Sequence, residues 1–599
     1  METSTSAPNE TWNLADIFPD SRRFEEARRD FRETLPTLDR RRGRLAESAP
    51  TLLDALEQIT EAARRFALLR CYSSLKADED VRIDRYQAMR QEIELLATEF
   101  SGKIAFLRPE ILAMKPETVE RFIEEEAGLA PHAHFLHDLM RQRTHVLGPA
   151  EERIMAETSL LTRSASSLFN VLNNVELPRP AVQLDSGERV RLTPVEFQKH
   201  RVSQHRPDRQ RIFPEYYRAF SGFKDTLGSN LYSAVKANLF RARVRRYDSC
   251  LTAALDPDNV PVEVYRNLIR QVHGRLDLLH RYFRIRSRVL GLELGYPDLY
   301  CPLSSEPPRS YSTREANRLV TESLEPLGPD YVAALRGAFD DRWIDWHPGE
   351  GKRSGAYATG WAYDVHPYVL MNYISDYESV STLAHEMGHA MHSHFSNKHQ
   401  PYATADYSVF VAEVASTLNE ALLIQLMLRR ASEADEKRFL LGSYLEGIRG
   451  TLFRQTMFAE FELEIHERVE RGEVLTGEIL NSLYVELLRK YNGHDEGVVT
   501  VDEDYAVEWA AIPHMYYNFY VYQYATGIVA ATALAEALLS GDPQAQQRYL
   551  GFLGAGGSDH PLELLREAGV DLESAEPYEA TFRAIERSLD QLDGLLGSS

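Results

Sequence analysis

The stretch from Ser381 to Phe395, STLAHEMGHAMHSHF, holds four histidines and one glutamate. Buried imidazoles must stay neutral or find partners, so several on one short segment call for something that ligates them. Val380, Leu383, Ala384, Met387 and Met391 recur among them at helical spacing. The pattern predicts a helix near 376–396, opened by the capping box Ser375-Asp376-Tyr377-Glu378. On that helix His385 and His389 stand one turn apart on one face and can hold a single divalent metal ion. Glu386 is rotated by one residue, so its carboxylate flanks the ion and can take a proton from a water held there. This His-Glu-x-x-His spacing is one that zinc-assisted hydrolysis uses; the plainer reading is a helix whose histidines only pack or cap. His392 is two turns from His385, about 10 Å along the axis. It cannot share the ion and is expected to be structural or to support a ligand. His394 is expected to face solvent or to hydrogen-bond within the core.

A catalytic zinc usually takes three protein ligands and leaves a position for water. After the turn-rich SNKHQPYATA, the apolar segment Asp406–Leu428 is expected to form the next helix. Glu413 stands there among Val409, Val411, Val414, Leu418 and Leu422, and a carboxylate in such surroundings needs a cation. Glu420 lies two turns further along the same face. Only one of the two can reach the ion, and spacing alone does not choose between them.

A second candidate is IPHMYYNFYVYQYATG, from Ile512 to Gly527. Pro513 suits the first turn of a helix, and on a helical wheel His514, Tyr517 and Tyr524 fall on one side. Such an aromatic stripe is ordinarily core, but a tyrosine-rich turn that begins with histidine can also donate hydrogen bonds to an oxyanion. The segment SGAYATG, with Gly355, Ala356 and Tyr357, reads either as a plain edge strand or as an edge that adds an extended peptide by backbone hydrogen bonds.

The elements that must position these groups are mostly helices. Residues 20–145 show repeated amphipathic periodicity rich in Arg and Glu. LPRPAVQLDSGERVRLT alternates around Asp185-Ser186-Gly187 and predicts a hairpin near 181–192. Helix resumes to about 340, a glycine- and proline-punctuated patch over 344–375 predicts a small antiparallel sheet, and helix follows almost to a frayed LLGSS. A length of 599 residues exceeds one core. We expect an N-terminal helical region over 1–195 and a catalytic region over 196–599. The formal net charge of −22 argues against a nucleic-acid or anionic-membrane partner. Three scattered cysteines, no secretory signal in METSTSAPNETWNLADIFPD and no run of about 18 apolar residues point to a cytoplasmic chain with no membrane span.

LAHEMGHAMHSHF followed by FVAEVASTLNE resembles the zinc signature of the thimet-oligopeptidase-like metallopeptidases, especially the oligoendopeptidase F branch. That pattern is His-Glu-x-Gly-His-x-x-His and then Glu-x-x-Ser, here His385, Glu386, Gly388, His389 and His392, then Glu413 and Ser416. GKRSGAYATG, HPYVLMNY and WNLADIFP resemble the same branch, most densely over 340–530. The resemblance implies one zinc ion on His385, His389 and Glu413, with Glu386 as general base and acid. It gives His514 and Tyr524, then Tyr517, to the oxyanion, and Gly355, Ala356 and Tyr357 to substrate binding. It implies a mainly α, two-lobed fold around a deep central channel, with the small sheet beside the zinc helix, cleaving internal bonds of oligopeptides. Cleavage preference and oligomeric state stay unread. Thr417 stands where many zinc peptidases place an Asp that orients a ligand histidine, so that carboxylate must come from elsewhere. Two rivals remain: a non-catalytic peptide-binding protein with a structural zinc, and a zinc amidase acting on a non-peptide substrate.

Overall fold

A computed structural model describes residues 10–304 and 309–596. The first residues of the N-terminal stretch read above, and Gly597-Ser598-Ser599 of the frayed end, lie outside it. Helices make up most of the described chain, with two small sheets.

Along the chain, Ala49–Glu79 forms a long helix (α1), capped by the Ser48 hydroxyl, which accepts the Thr51 N–H at 3.3 Å. Its Leu52, Leu56, Ile59, Phe66 and Leu69 are buried at helical spacing. Ala181–Gln183 (β1) and Arg189–Arg191 (β2) pair antiparallel, with buried Val182 opposite buried Val190 and Gly187 at φ +85° in the turn. The hairpin expectation is met. Ile344–Asp345 (β3), Tyr357–Thr359 (β4) and Tyr368–Leu370 (β5) form the second sheet, in the order β3-β5-β4. β5 pairs antiparallel with β4 but parallel with β3, so the sheet is mixed, not wholly antiparallel as expected. All three residues of central β5 are fully buried, whereas edge strand β4 is half-buried. Tyr377–His399 (α2) and Val409–Arg430 (α3) follow. Further on come Arg454–Glu470 (α4) and Tyr522–Leu539 (α5).

The cap of α2 differs by one residue from the expected box. Asp376 is the N-cap, its carboxylate accepting the Ser379 N–H at 2.8 Å, and Ser375 sits at φ +68°. The charged carboxylate at 376 competes better for the first free N–H groups. By length and composition α3 is the described helix apolar enough to cross a membrane, but most of it is packed within the protein.

The chain divides into two compact units, each assembled from three segments rather than cut once near residue 195. Unit 1 takes the residues up to Thr144, then 309–426 and 534–570; unit 2 takes 145–304, 427–533 and 571–596 of the described residues. Cys71 lies in the first, and Cys250 and Cys301 in the second, all buried and unbridged.

Candidate metal centre

Two close contacts set α2 against α3. A Cβ on Gly388 would lie 2.5 Å from Ser416 Cα and 2.7 Å from the Ala415 carbonyl oxygen, so only glycine lets the helices approach this far. Three residues beyond Ser416, fully buried Asn419 donates to the Ala384 carbonyl at 3.1 Å. The register of the two helices is thereby locked one residue away from His385.

In that register His385 Nε2 and His389 Nε2 lie 3.5 and 3.7 Å from Glu413 Oε2. One ligand atom from each residue falls within 4.8 Å of the others. A tetrahedral zinc with bonds near 2.0–2.1 Å would place neighbouring ligand atoms about 3.4 Å apart, so the donor set fits that ion. Ser416 Oγ donates to Glu413 Oε2 at 3.1 Å. Glu420, the competitor for the third ligand position, pairs through Oε1 with His385 Nδ1 at 3.0 Å. It therefore supplies the orienting carboxylate that Thr417 could not, and it turns Nε2 of His385 toward Glu413. The signal for this residue was present: a second acid two turns along the same apolar face.

The electrostatics also call for a cation. Burial opposes charge on His385, yet Glu420, Glu386 and Glu413 hold its pKa up at about 9. Burial, and then the charge on His385, pull His389 down. Three carboxylates thus bear on His385, a concentration of negative charge that a cation would offset. Among the described residues, Asp185, His205 and Asp208 also bring ligand-type atoms within 4.8 Å of one another, but Arg211 donates to both aspartates and already offsets part of their charge.

Glu386 is 7 % exposed. Burial raises its carboxyl to about 7, helped by Glu413 and Glu420 and opposed by His385 and by the backbone N–H of Ala358. That N–H belongs to edge strand β4, so sheet and metal helix meet at the carboxylate. Just before the strand, Gly355 sits at φ +85° and its carbonyl accepts from Asn372 at 2.7 Å. Ala356 follows, and Tyr357 opens β4. The Tyr357 hydroxyl is committed to Asp78 at 2.8 Å, which leaves the backbone for any contact with a peptide. A cavity of about 850 Å³ adjoins the site, walled by His389, Phe66, Phe135, Trp361 and Tyr407.

His392 is buried and stacks on Tyr407 at 3.7 Å between ring centres; burial holds it neutral, its pKa lowered to about 3. His394 is half-buried beside Trp343.

The tyrosine segment is not one helix. Pro513–Tyr516 makes a single 3₁₀ turn, and α5 starts only at Tyr522. Asn518 and Phe519 between them have φ of +52° and +59°, a conformation that costs a side-chain-bearing residue about 1–3 kcal/mol. The predicted grouping is nevertheless formed locally. The His514 ring centre lies 5.2 Å from Tyr517 and 6.0 Å from Tyr524, and Tyr520 links Tyr517 and Tyr524 at 6.4 and 5.3 Å. These residues belong to unit 2, whereas the candidate metal ligands belong to unit 1.

Comparison with known proteins shows the family. Residues 200–584 match Peptidase family M3, and residues 110–178 match a domain described as Oligopeptidase F. The chain is 39 % identical to oligopeptidase PepF of Bacillus subtilis, over 98 % of this chain and 87 % of that one. It is 36 % identical to an oligoendopeptidase F homologue of Lactococcus lactis, over 98 % and 97 %. The crystal structure of oligoendopeptidase-F from Enterococcus faecium superposes with a TM-score of 0.74 at 32 % identity, covering 96 % of this chain and 99 % of the other. The chain belongs to peptidase family M3, in its oligoendopeptidase F branch, and is a metallopeptidase.

Proposed function

We propose that the protein is an endopeptidase that cuts internal bonds of short, flexible oligopeptides. One zinc ion would be held by His385, His389 and Glu413, with Glu386 as the general base and acid. The observation that carries this reading is the convergence of the three ligand atoms beside a buried carboxylate whose pKa is raised to about 7. When bound, zinc lowers the pKa of a water toward about 7 and polarises the scissile carbonyl. The chain's own residues do the rest. Glu420 holds the His385 ring through Nδ1 so that Nε2 faces the ion, and Ser416 steadies Glu413. The Glu386 carboxylate takes the proton of the attacking water and delivers it to the leaving amine, while the Ala358 N–H fixes its orientation. The outer edge of β4, reached through Gly355, Ala356 and Tyr357, would pair with an extended peptide. His514 and Tyr524, with Tyr517 third, would donate to the oxyanion.

Metal analysis combined with a peptide-library digest tests the reading. The parent protein should carry about one zinc per chain and cut internal peptide bonds, and Glu413→Ala should lose metal and cleavage together. A Glu413→Ala protein with full metal and parental turnover refutes the ligand assignment. Metal without cleavage of any peptide would favour the binding protein, and cleavage restricted to non-peptide amides would favour the amidase.

A further inference from the structure

In unit 2 one buried acid does what packing alone would not select. Glu462 of α4 is fully buried; its Oε1 accepts the Phe519 N–H at 2.6 Å, and its Oε2 has no hydrogen-bond partner. Half-satisfied carboxyls are costly in a core, where leucine or methionine would fill the same space without penalty. Burial raises its pKa to about 8, against the Phe519 N–H.

The backbone held by this acid is unusual too. Asn518 and Phe519 are the only consecutive non-glycine residues at positive φ among the described residues. The Phe519 ring is buried between His466, 4.5 Å away, and Tyr265, 5.6 Å away. Val521 and Tyr522 are also buried, whereas Tyr517 is 52 % exposed and His514, Tyr520 and Tyr524 are partly open. The left-handed turn is thus pinned from beneath at one N–H, and its curvature decides where the Tyr517 and Tyr520 rings stand against Tyr524.

We propose that Glu462 is a positioning residue for the peptidase reaction: its carboxyl holds the Asn518–Phe519 turn left-handed and so sets the Tyr517, Tyr520 and Tyr524 side chains for the substrate. This inference rests on the oxyanion role proposed above for Tyr517 and Tyr524.

The test compares Glu462→Gln, which keeps an acceptor for Phe519, with Glu462→Leu, which does not. Glu462→Gln should keep kcat within about 3-fold. Glu462→Leu should lower kcat by about 10–100-fold, the scale of a misplaced group, with KM and metal content unchanged. Adding Asn518→Gly to Glu462→Leu should recover most of the loss, because glycine enters the left-handed region without help; filling a packing defect on α4 would not respond to a change at 518. Parental kcat in Glu462→Leu, equal losses in the Gln and Leu variants, or no recovery with Asn518→Gly overturns the proposal. Should Glu462→Leu fail to fold, Asn518→Val attacks the same turn with the acid in place, and parental kcat in that variant overturns it. A second readout separates this inference from the function it rests on. Chymotrypsin should cut the folded Glu462→Leu protein faster than the parent within Tyr517–Tyr520, whether or not either protein cleaves peptides. Unchanged protection there overturns the positioning role even if the peptidase reading stands.

Discussion

Glu386 in unit 1 and Glu508 in unit 2 are both buried carboxylates, and their surroundings push them in opposite directions. Glu508 accepts from Arg454 at 2.6 Å and from the hydroxyls of Tyr217, Tyr296 and Tyr484 at 2.9, 2.7 and 3.0 Å. Burial alone would raise its pKa, but Arg454 and the tyrosines override it and hold the carboxyl below its usual range. Glu386 has one backbone N–H and a neighbouring imidazole on its side and two carboxylates against it, and it rises to about 7. The first environment spends its polar groups on keeping a charge in place. The second brings the group's pKa near neutral pH, as the base role proposed above for Glu386 requires. Burial by itself therefore does not mark a reactive carboxylate; the count and sign of its partners do.

The largest effect that sharpens this contrast is expected at Glu386. Glu386→Gln should lower turnover by about 10²–10⁴-fold with metal content unchanged, measured by kinetics and metal analysis. In metal-free protein the same change should raise the melting temperature at pH 7. An unfolded glutamate ionises near 4.5, whereas folded Glu386 holds its proton to about 7. Stability is thus lost as pH rises between those values, and glutamine removes that loss. Parental turnover in this variant would break the comparison.

Next comes Glu508→Leu, which strands the Arg454 charge and three hydroxyls. It should cost about 3–5 kcal/mol of stability, read by denaturant unfolding, while the protein that remains folded keeps its kcat. The sign with pH is opposite to that of Glu386: the lowered carboxyl contributes fully above its unfolded value near 4.5, and that contribution disappears as pH falls through its folded value. Unchanged stability in Glu508→Leu would show that the network is not structural.

The smallest effect is expected at Glu420, which pairs with the proposed ligand His385. Glu420→Gln should weaken metal affinity by about 10–100-fold, measured by chelator competition, and saturating zinc should restore most of the turnover. A variant that binds zinc as tightly as the parent would remove Glu420 from the site.

Much of this was legible in the chain because it depends on spacing. The i, i+4 histidines, the apolar stripe of α2, the hairpin around Gly187 and the mainly helical class all follow from periodicity and turn chemistry, which are local. The mixed sheet was not legible: β3 and β5 are separated by more than twenty residues, and no local rule states which strand pairs with which or in which direction. Nor was the break in the tyrosine segment, where good helical spacing is overridden at Asn518 and Phe519 by a buried acid more than fifty residues earlier. By itself the sequence determined which residues could hold a metal ion and which acid could act as base. Only the tertiary structure decided that Glu420 serves His385 and that Glu386 and Glu508 titrate in opposite directions, because a carboxylate's charge is set by partners brought from distant parts of the chain.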